Sequence, residues 1–333
     1  MRSLRILLPL LMLAVAGTAG YLYWHWKKDP LPIGTQARDV EIMPGESLRH
    51  VAQGFAEQGI LVHSWDLIAY ARLHEAAGGL RAGEYQIEPG TTVAGLLTLL
   101  RSGKVVMHSL TLVDGWTFKQ VLDTVEQEPN LSHSLAGLNQ AEIARKLGID
   151  SPSLEGELMA DTYQFPRGTT DVAFLKRAHE SMQQTLEAAW AERAKDLPYK
   201  DAYDALIMAS IVEKETGQAA ERPKIAGVFV RRLQKGMKLQ SDPTVIYGLG
   251  DAYDGDITLA DLRSDTPYNS YTRYGLPPTP ICMPGRPAIE AALHPQAGDA
   301  LYFVAKGDGT HEFSATLKQQ NAAVEKYQLK HGK

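Results

Sequence analysis

Two carboxylates two residues apart, in the run Glu213-Lys214-Glu215-Thr216, close a strongly apolar segment. The preceding stretch, Ala205 to Val212, is apolar nearly all round. A helix of that kind belongs inside a domain. The pattern predicts a helix from about Asp201 to Thr216, with Gly217 as its stop. An anion in the last turn meets the negative end of the helix dipole, and burial also opposes its ionisation. Both effects hold a carboxyl protonated near neutral pH, the form that acid catalysis at a glycosidic oxygen requires. The bland alternative is a solvated helix end, with Glu213 paired to Lys214 or Arg222. Residues two apart point to nearly opposite helix faces, so at most one of the pair enters a given cleft. The spacing does not choose between them.

Other chemistries find no footing. There is no HExxH, no P-loop and no GxGxxG ahead of a helix, so no metal and no cofactor are expected. The single cysteine, Cys282, excludes an intrachain disulfide and a thiolate cluster, and reads as a small buried filler. A net charge of -5 gives no electrostatic reason to expect a nucleic-acid partner. With 44% hydrophobic and 22% charged residues, the 333-residue chain has the composition of a packed protein rather than a disordered one.

Several elements must position this chemistry. At the N-terminus an uncharged run from Ile6 to Trp24 follows two arginines and ends in lysines. It is close to the length of a membrane-spanning helix, with Tyr21, Tyr23, Trp24 and Trp26 as an interfacial belt. A signal peptide cleaved near Ala14-Val15-Ala16 is the alternative. Residues 1–30 are thus expected to form an anchor and cytoplasmic stub. Asp29 to Arg38 reads as a linker. A strand-turn-helix unit then recurs three times, at Pro44-Gly45-Glu46-Ser47, Pro89-Gly90-Thr91-Thr92 and Asp114-Gly115-Trp116-Thr117. In each copy a glycine closes the turn and a hydroxyl residue caps the following helix. Strands are predicted at Val40 to Met43, Gly83 to Ile87 and Ser109 to Val113. The first two copies, within 38–105, resemble a LysM-type glycan-binding domain; a small α+β domain that only packs is the alternative. Residues 106–152 read as a connecting region with the third unit. Residues 153–333 read as a mixed α+β catalytic domain, with helices from Thr169 or Thr170 to about Ala194, from Asp201 to Thr216, and from Glu221 to Lys235. The remainder reads as loops and short strands.

The run Ala209 to Thr216 resembles the MltG-type, YceG-like endolytic murein transglycosylases. So do Leu239 to Gly248, Tyr268-Asn269-Ser270-Tyr271, Gly275-Leu276-Pro277-Pro278, Pro284-Gly285, and Tyr302-Phe303-Val304-Ala305 with His311 and Phe313. The matches occur in order over nearly the whole chain. Ala160, Thr279 and Met283 stand where the family usually has Pro, Gly and Asn, and leave loop geometry open. The resemblance implies cleavage of the MurNAc-β-1,4-GlcNAc bond of nascent glycan strands, with a 1,6-anhydro product, ending strand elongation.

It also makes Glu215, the second Glu of the motif, the catalytic acid. Gln240, Ser241, Asp242, Thr244, Tyr247, Tyr268, Asn269, Tyr271 and His311 become candidate substrate contacts, each with a structural alternative. Asp242 is the rival carboxylate, either a turn or cap residue or the second member of a two-carboxylate hydrolase. A non-catalytic glycan-binding scaffold is the further alternative. The expected location is the inner membrane, single-pass, with the catalytic domain on the periplasmic side. Glycan strands and peptidoglycan synthases are the expected partners.

Overall fold

A computed structural model describes residues 2–76 and 78–329, with side chains from residue 9 onward. The chain divides into two compact units, Met1–His108 with Gln164–Gly168, and Ser109–Tyr163 with Thr169–Lys333. The expected connecting region 106–152 therefore falls, from Ser109 onward, in the larger unit. The last four residues of the expected 153–333 domain lie outside the described residues.

The smaller unit runs α1 (Arg2–Lys28), β1 (Arg38–Ile42), α2 (Leu48–Glu57), α3 (Ser64–Leu73), β2 (Gly83–Ile87) and α4 (Val93–Ser102). β1 and β2 pair antiparallel, with Val40 opposite Tyr85 and Ile42 opposite Gly83. Alternation along the strands turns Val40, Ile42, Tyr85 and Ile87 inward. There they meet Phe55, Leu67, Leu96 and Leu100 from the helices. The predicted turns and caps are present in all three copies. Gly45, Gly90 and Gly115 take φ of 84°, 84° and 80°, the left-handed region that favours glycine. Ser47 accepts from His50 N–H, Thr92 from Gly95 N–H and Thr117 from Gln120 N–H.

Helix α1 contains the run expected to span a membrane. The side chains of its beginning, through Leu8, lie outside the described ones. Among the described residues no helix is long and apolar enough to cross a membrane. Gly17, Thr18 and Gly20, followed by the polar-tipped rings of Tyr21, Tyr23, Trp24, His25 and Trp26, dilute its apolar content. One member of the expected interfacial belt is placed elsewhere. Trp26 is only 6% exposed, packed in the core of the smaller unit. Its indole N–H donates to Asp66 Oδ1 at 2.7 Å, which satisfies the one polar atom that burial would otherwise orphan.

Strands β3 (Met107–Thr111) and β5 (Thr162–Pro166) pair with each other, and the division between the units falls within both; the larger unit holds α5 (Phe118–Gln127). It continues with β4 (Leu131–Ser132), α6 (Gln140–Leu147), β6 (Thr169–Thr170), which pairs in parallel with β4, and α7 (Asp171–Ala191). After these come α8 (Ala202–Glu215), α9 (Arg222–Gln234), α10 (Asp242–Leu249), α11 (Leu259–Arg263) and α12 (Arg286–Leu293). The hairpin β7 (Tyr302–Ala305) and β8 (His311–Ser314), then α13 (Leu317–Val324), close the described chain apart from a final π-turn, Glu325–Leu329. The fold is mixed α+β, with its sheets reduced to two-stranded pairs. Helix α8 is the centre of the larger unit. Ala205 through Val212 are all buried, against α7, α9 and α12. Helix α12, which reads as loop in the sequence, starts on Gly285 with Arg286-Pro287 in its first turn, the position where proline's missing N–H does no harm.

Candidate active site

Helix α8 delivers its two carboxylates to different places. Glu213 is fixed in structure: Oε1 accepts from Arg222 Nη2 at 3.1 Å and Oε2 accepts from Gly285 N–H at 3.0 Å. Glu215, the last residue of the helix, points the other way and lines a cavity of about 480 Å³. Glu213 is thus held away from the cavity by one partner near in sequence, Arg222, and one 72 residues away, Gly285. Higher on α8, Ser210 donates to Ile207 C=O and accepts from Ile281 N–H at 3.0 Å. Cys282 Sγ donates to Ser210 C=O, and burial pushes its thiol well above the usual range, as befits a filler.

Glu215 Oε1 accepts a 2.5 Å hydrogen bond from Ser241 Oγ. Burial pushes its carboxyl up to about 7; the Ser241 hydrogen bond opposes that shift and the charge of Asp242 adds to it. The helix end therefore holds a carboxyl that is largely protonated just below neutral pH.

The Ser241 segment is set by a small buried network. Ser241 N–H donates to Ser270 Oγ at 2.9 Å, Thr244 Oγ1 donates to Ser241 C=O at 2.7 Å, and the Thr244 and Ser270 hydroxyls lie 2.8 Å apart. Gln240 just before it takes φ of 53°, a left-handed conformation a non-glycine residue adopts at a penalty. Its N–H donates to Ser270 C=O at 3.1 Å, and its side-chain carbonyl accepts from Arg232 Nη2. Arg232 is itself buried, donating from Nε to Lys238 C=O at 2.9 Å. Asp242, the first residue of α10, accepts from Tyr271 Oη at 2.5 Å. Burial, then the Asp242 carboxylate, raise the Tyr271 phenol.

Of the residues singled out in the sequence, Glu215, Gln240, Asp242, Tyr271 and His311 line this one cavity. Ser241 backs it through its bond to Glu215. The others are engaged elsewhere. Thr244 is wholly buried in the network just described. The Asn269 amide is wholly buried, donating to the carbonyls of Asp261, Leu262 and Ser264 and accepting from Tyr271 N–H at 2.8 Å. It ties α11 to the Tyr271 loop. Tyr247 and Tyr268 stack edge to face at 4.8 Å; Tyr247 Oη donates to Glu155 Oε2, and Tyr268 shares a hydrogen bond with Thr279. Glu155, 4% exposed, also accepts from Phe118 N–H at 2.9 Å, and burial pushes its carboxyl up to about 7.

Arg232 and Glu221 were not singled out in the sequence as site residues. Arg232 had a signal, since it falls four and three residues after Val228 and Phe229 on the buried face of α9. A charge on an apolar stripe asks for a partner. Glu221 had none, because its partner His311 is 90 residues away. Among the described residues no group of three or more His, Cys, Asp or Glu side chains could hold a metal ion.

A family model for the YceG-like family matches residues 40–326. The chain is 32% identical over 307 residues to a Bacillus subtilis protein named endolytic murein transglycosylase, covering 87% of this chain and 84% of that protein. It is 29% identical over 334 residues to a Streptococcus pneumoniae protein of the same name, of which it spans only 60%. A crystal structure of a yceG-like protein from Listeria monocytogenes superposes with a TM-score of 0.54 at 26% identity, over 87% of this chain and 99% of that one.

Proposed function

The chain belongs to the YceG-like family, and from that premise we propose that it is an endolytic peptidoglycan lytic transglycosylase with Glu215 as its acid. The observation that carries this reading is the Glu215 carboxyl, raised to about 7 at the wall of a cavity large enough for sugar residues. Glu215 protonates the glycosidic oxygen between MurNAc and GlcNAc as that bond breaks. The carboxylate so formed accepts the proton of the muramyl 6-hydroxyl, whose oxygen bonds to C1 of the same sugar. The proton count closes on one residue, and the product carries a 1,6-anhydro end. An internal nucleophile removes the need for the second carboxylate that ordinary glycosidases use, and its tether leaves little entropy to lose. A pKa near 7 suits a group that must first give and then take a proton.

A two-carboxylate hydrolase is the second reading, favoured by the presence of Asp242 in the same cavity. Mass analysis of fragments from uncrosslinked glycan strands separates the two. Ends lacking the mass of one water support the transglycosylase, and reducing ends sink it.

In this reading α1 anchors the protein in the cytoplasmic membrane with the catalytic unit outside. The exposed apolar side chains of Leu10, Leu11, Met12, Leu13 and Val15 support it. The β1-α2-α3-β2 order, with both strands paired, supports a LysM-like role for the smaller unit in holding glycan. Such a protein cuts strands close to where they emerge, and peptidoglycan synthases are its expected partners. Protease protection of the large unit in sealed vesicles tests the orientation.

A further inference from the structure

His311 lines the cavity that holds Glu215, yet the proton transfers above make no use of it. Its ring Nδ1 lies 2.7 Å from Glu221 Oε2, and its backbone N–H donates to Glu221 Oε1 at 3.1 Å. One carboxylate thus grips both the ring and the main chain of the same residue. Both side chains are 12% exposed, so the pair is largely removed from solvent. The ring is further fixed by Phe303, which meets it edge to face at 5.4 Å. Strand β8 holds the backbone, with His311 opposite Ala305 of β7.

Burial opposes the charge of Glu221, but its hydrogen bonds from His311 and the nearby Lys224 outweigh that and hold the carboxyl below its ordinary range. An ionised carboxylate can only accept, so Nδ1 must carry a proton. In the neutral ring that leaves Nε2 as a lone-pair acceptor. Among the described residues no protein group bonds to Nε2.

We propose that Glu221 and His311 form an oriented pair whose Nε2 accepts a hydrogen bond from a hydroxyl or acetamido N–H of the bound glycan. The inference rests on the glycan-cleaving reading for its ligand but not for its geometry. Glu221 acts through His311 and is a positioning residue. The pair explains why a carboxylate and an imidazole 90 residues apart in sequence meet at the wall of the cavity that holds Glu215. It also gives the cavity a fixed acceptor to set against the donor of the protonated Glu215. Sugar hydroxyls and acetamides, which both donate and accept, are ligands that match such a lining.

The test uses the full chain and a peptide-free MurNAc–GlcNAc octasaccharide. Nitrogen NMR of the histidine rings, with His311 assigned by its loss in His311→Gln, reports the tautomer directly. The inference expects an unprotonated Nε2 in the wild type, and a mixture of tautomers in Glu221→Gln. In the Glu215→Gln background His311→Ala weakens octasaccharide binding about three- to tenfold, the worth of one neutral hydrogen bond, and His311→Gln restores part of it. In the active chain the same loss falls on KM more than on kcat. A proton resident on Nε2 in the neutral wild-type ring, or octasaccharide affinity unchanged by His311→Ala, overturns the inference. If His311→Ala does not fold, the wild-type tautomer and the His311→Gln affinity decide, with Gln expected to bind between half as well and as well as His. Reducing-end products with a normal tautomer and a normal binding loss would instead remove the transglycosylase reading and leave this pair standing.

Discussion

Ser241 donates its hydroxyl to Glu215 at 2.5 Å, although Ser241 stands at the N-cap of α10, where a serine side chain ordinarily accepts from the helix's own N–H groups. The helix start goes without that side-chain cap, and the hydroxyl serves a carboxyl on another helix instead. A local stabilising contact, worth about 1 kcal/mol in most helices, has been given over to the site.

The acid role fixes the sign of the pH dependence. In the proposed mechanism protonated Glu215 is the working form, so kcat/KM is expected to be full below about 7 and to fall as pH rises through it. Ser241→Ala removes the contact that lowers the Glu215 pKa, and its falling limb moves to higher pH. Asp242→Asn removes a charge that raises it, and its limb moves to lower pH. Rate profiles of the three proteins on glycan strands check the opposed shifts; a common direction contradicts the assignment.

Glu215→Gln is expected to stabilise the protein above neutral pH. The carboxyl rises from 4.5 to about 7 on folding, so the native state binds the extra proton between those values. Its contribution is present below 4.5 and is lost as pH climbs through 7, where the buried anion opposes folding. The gain from a neutral amide at pH 8 is on the order of 2 kcal/mol, allowing for solvent at the cavity mouth, and vanishes near pH 4. Denaturant unfolding at the two pH values measures it.

Glu213 should behave in the opposite way. Its truncation to Ala leaves Arg222 and the Gly285 N–H without their partner. The expected loss is about 3 kcal/mol, because a largely buried charge is stranded. The folded fraction keeps kcat within about threefold of wild type, since removing a structural contact leaves the reacting groups in place.

Glu155 separates a raised pKa from a catalytic role. It is as perturbed as Glu215, but it is tied to Phe118 N–H and Tyr247 and lines no part of the cavity. Glu155→Ala orphans both donors and costs about 2–4 kcal/mol. Glu155→Gln keeps the acceptor for one of them and is milder, with activity retained. Thermal unfolding and a single-pH assay suffice to check both.

How much of this was legible in the sequence depended on range. The three turn-and-cap units were, because Gly45 with Ser47, Gly90 with Thr92 and Gly115 with Thr117 act within a few residues of themselves. Helices α7, α8 and α9 were legible for the same reason, their caps and apolar faces being local. Helix α12 was hidden by Pro284-Gly285-Arg286-Pro287, which reads as a loop until Gly285 is seen to be an N-cap. That Glu215 and not Glu213 lines the cavity follows from Arg222, Gly285 and Ser241, of which only Arg222 is near in sequence. Asn269 and Thr244 resembled sugar contacts by type, but backbone carbonyls of Asp261, Leu262 and Ser264 and the Ser241 segment claim them first. Trp26 looked like an interfacial residue because nothing nearby in sequence names Asp66 as its partner.

The most direct test of the central claim compares purified wild type with Glu215→Gln on uncrosslinked glycan strands, with fragments followed by mass. The account predicts internal cuts with anhydro ends for the wild type and a rate about a hundred- to ten-thousandfold lower for Glu215→Gln, the scale of losing a general acid. Wild-type cleavage surviving in a folded Glu215→Gln protein would contradict it.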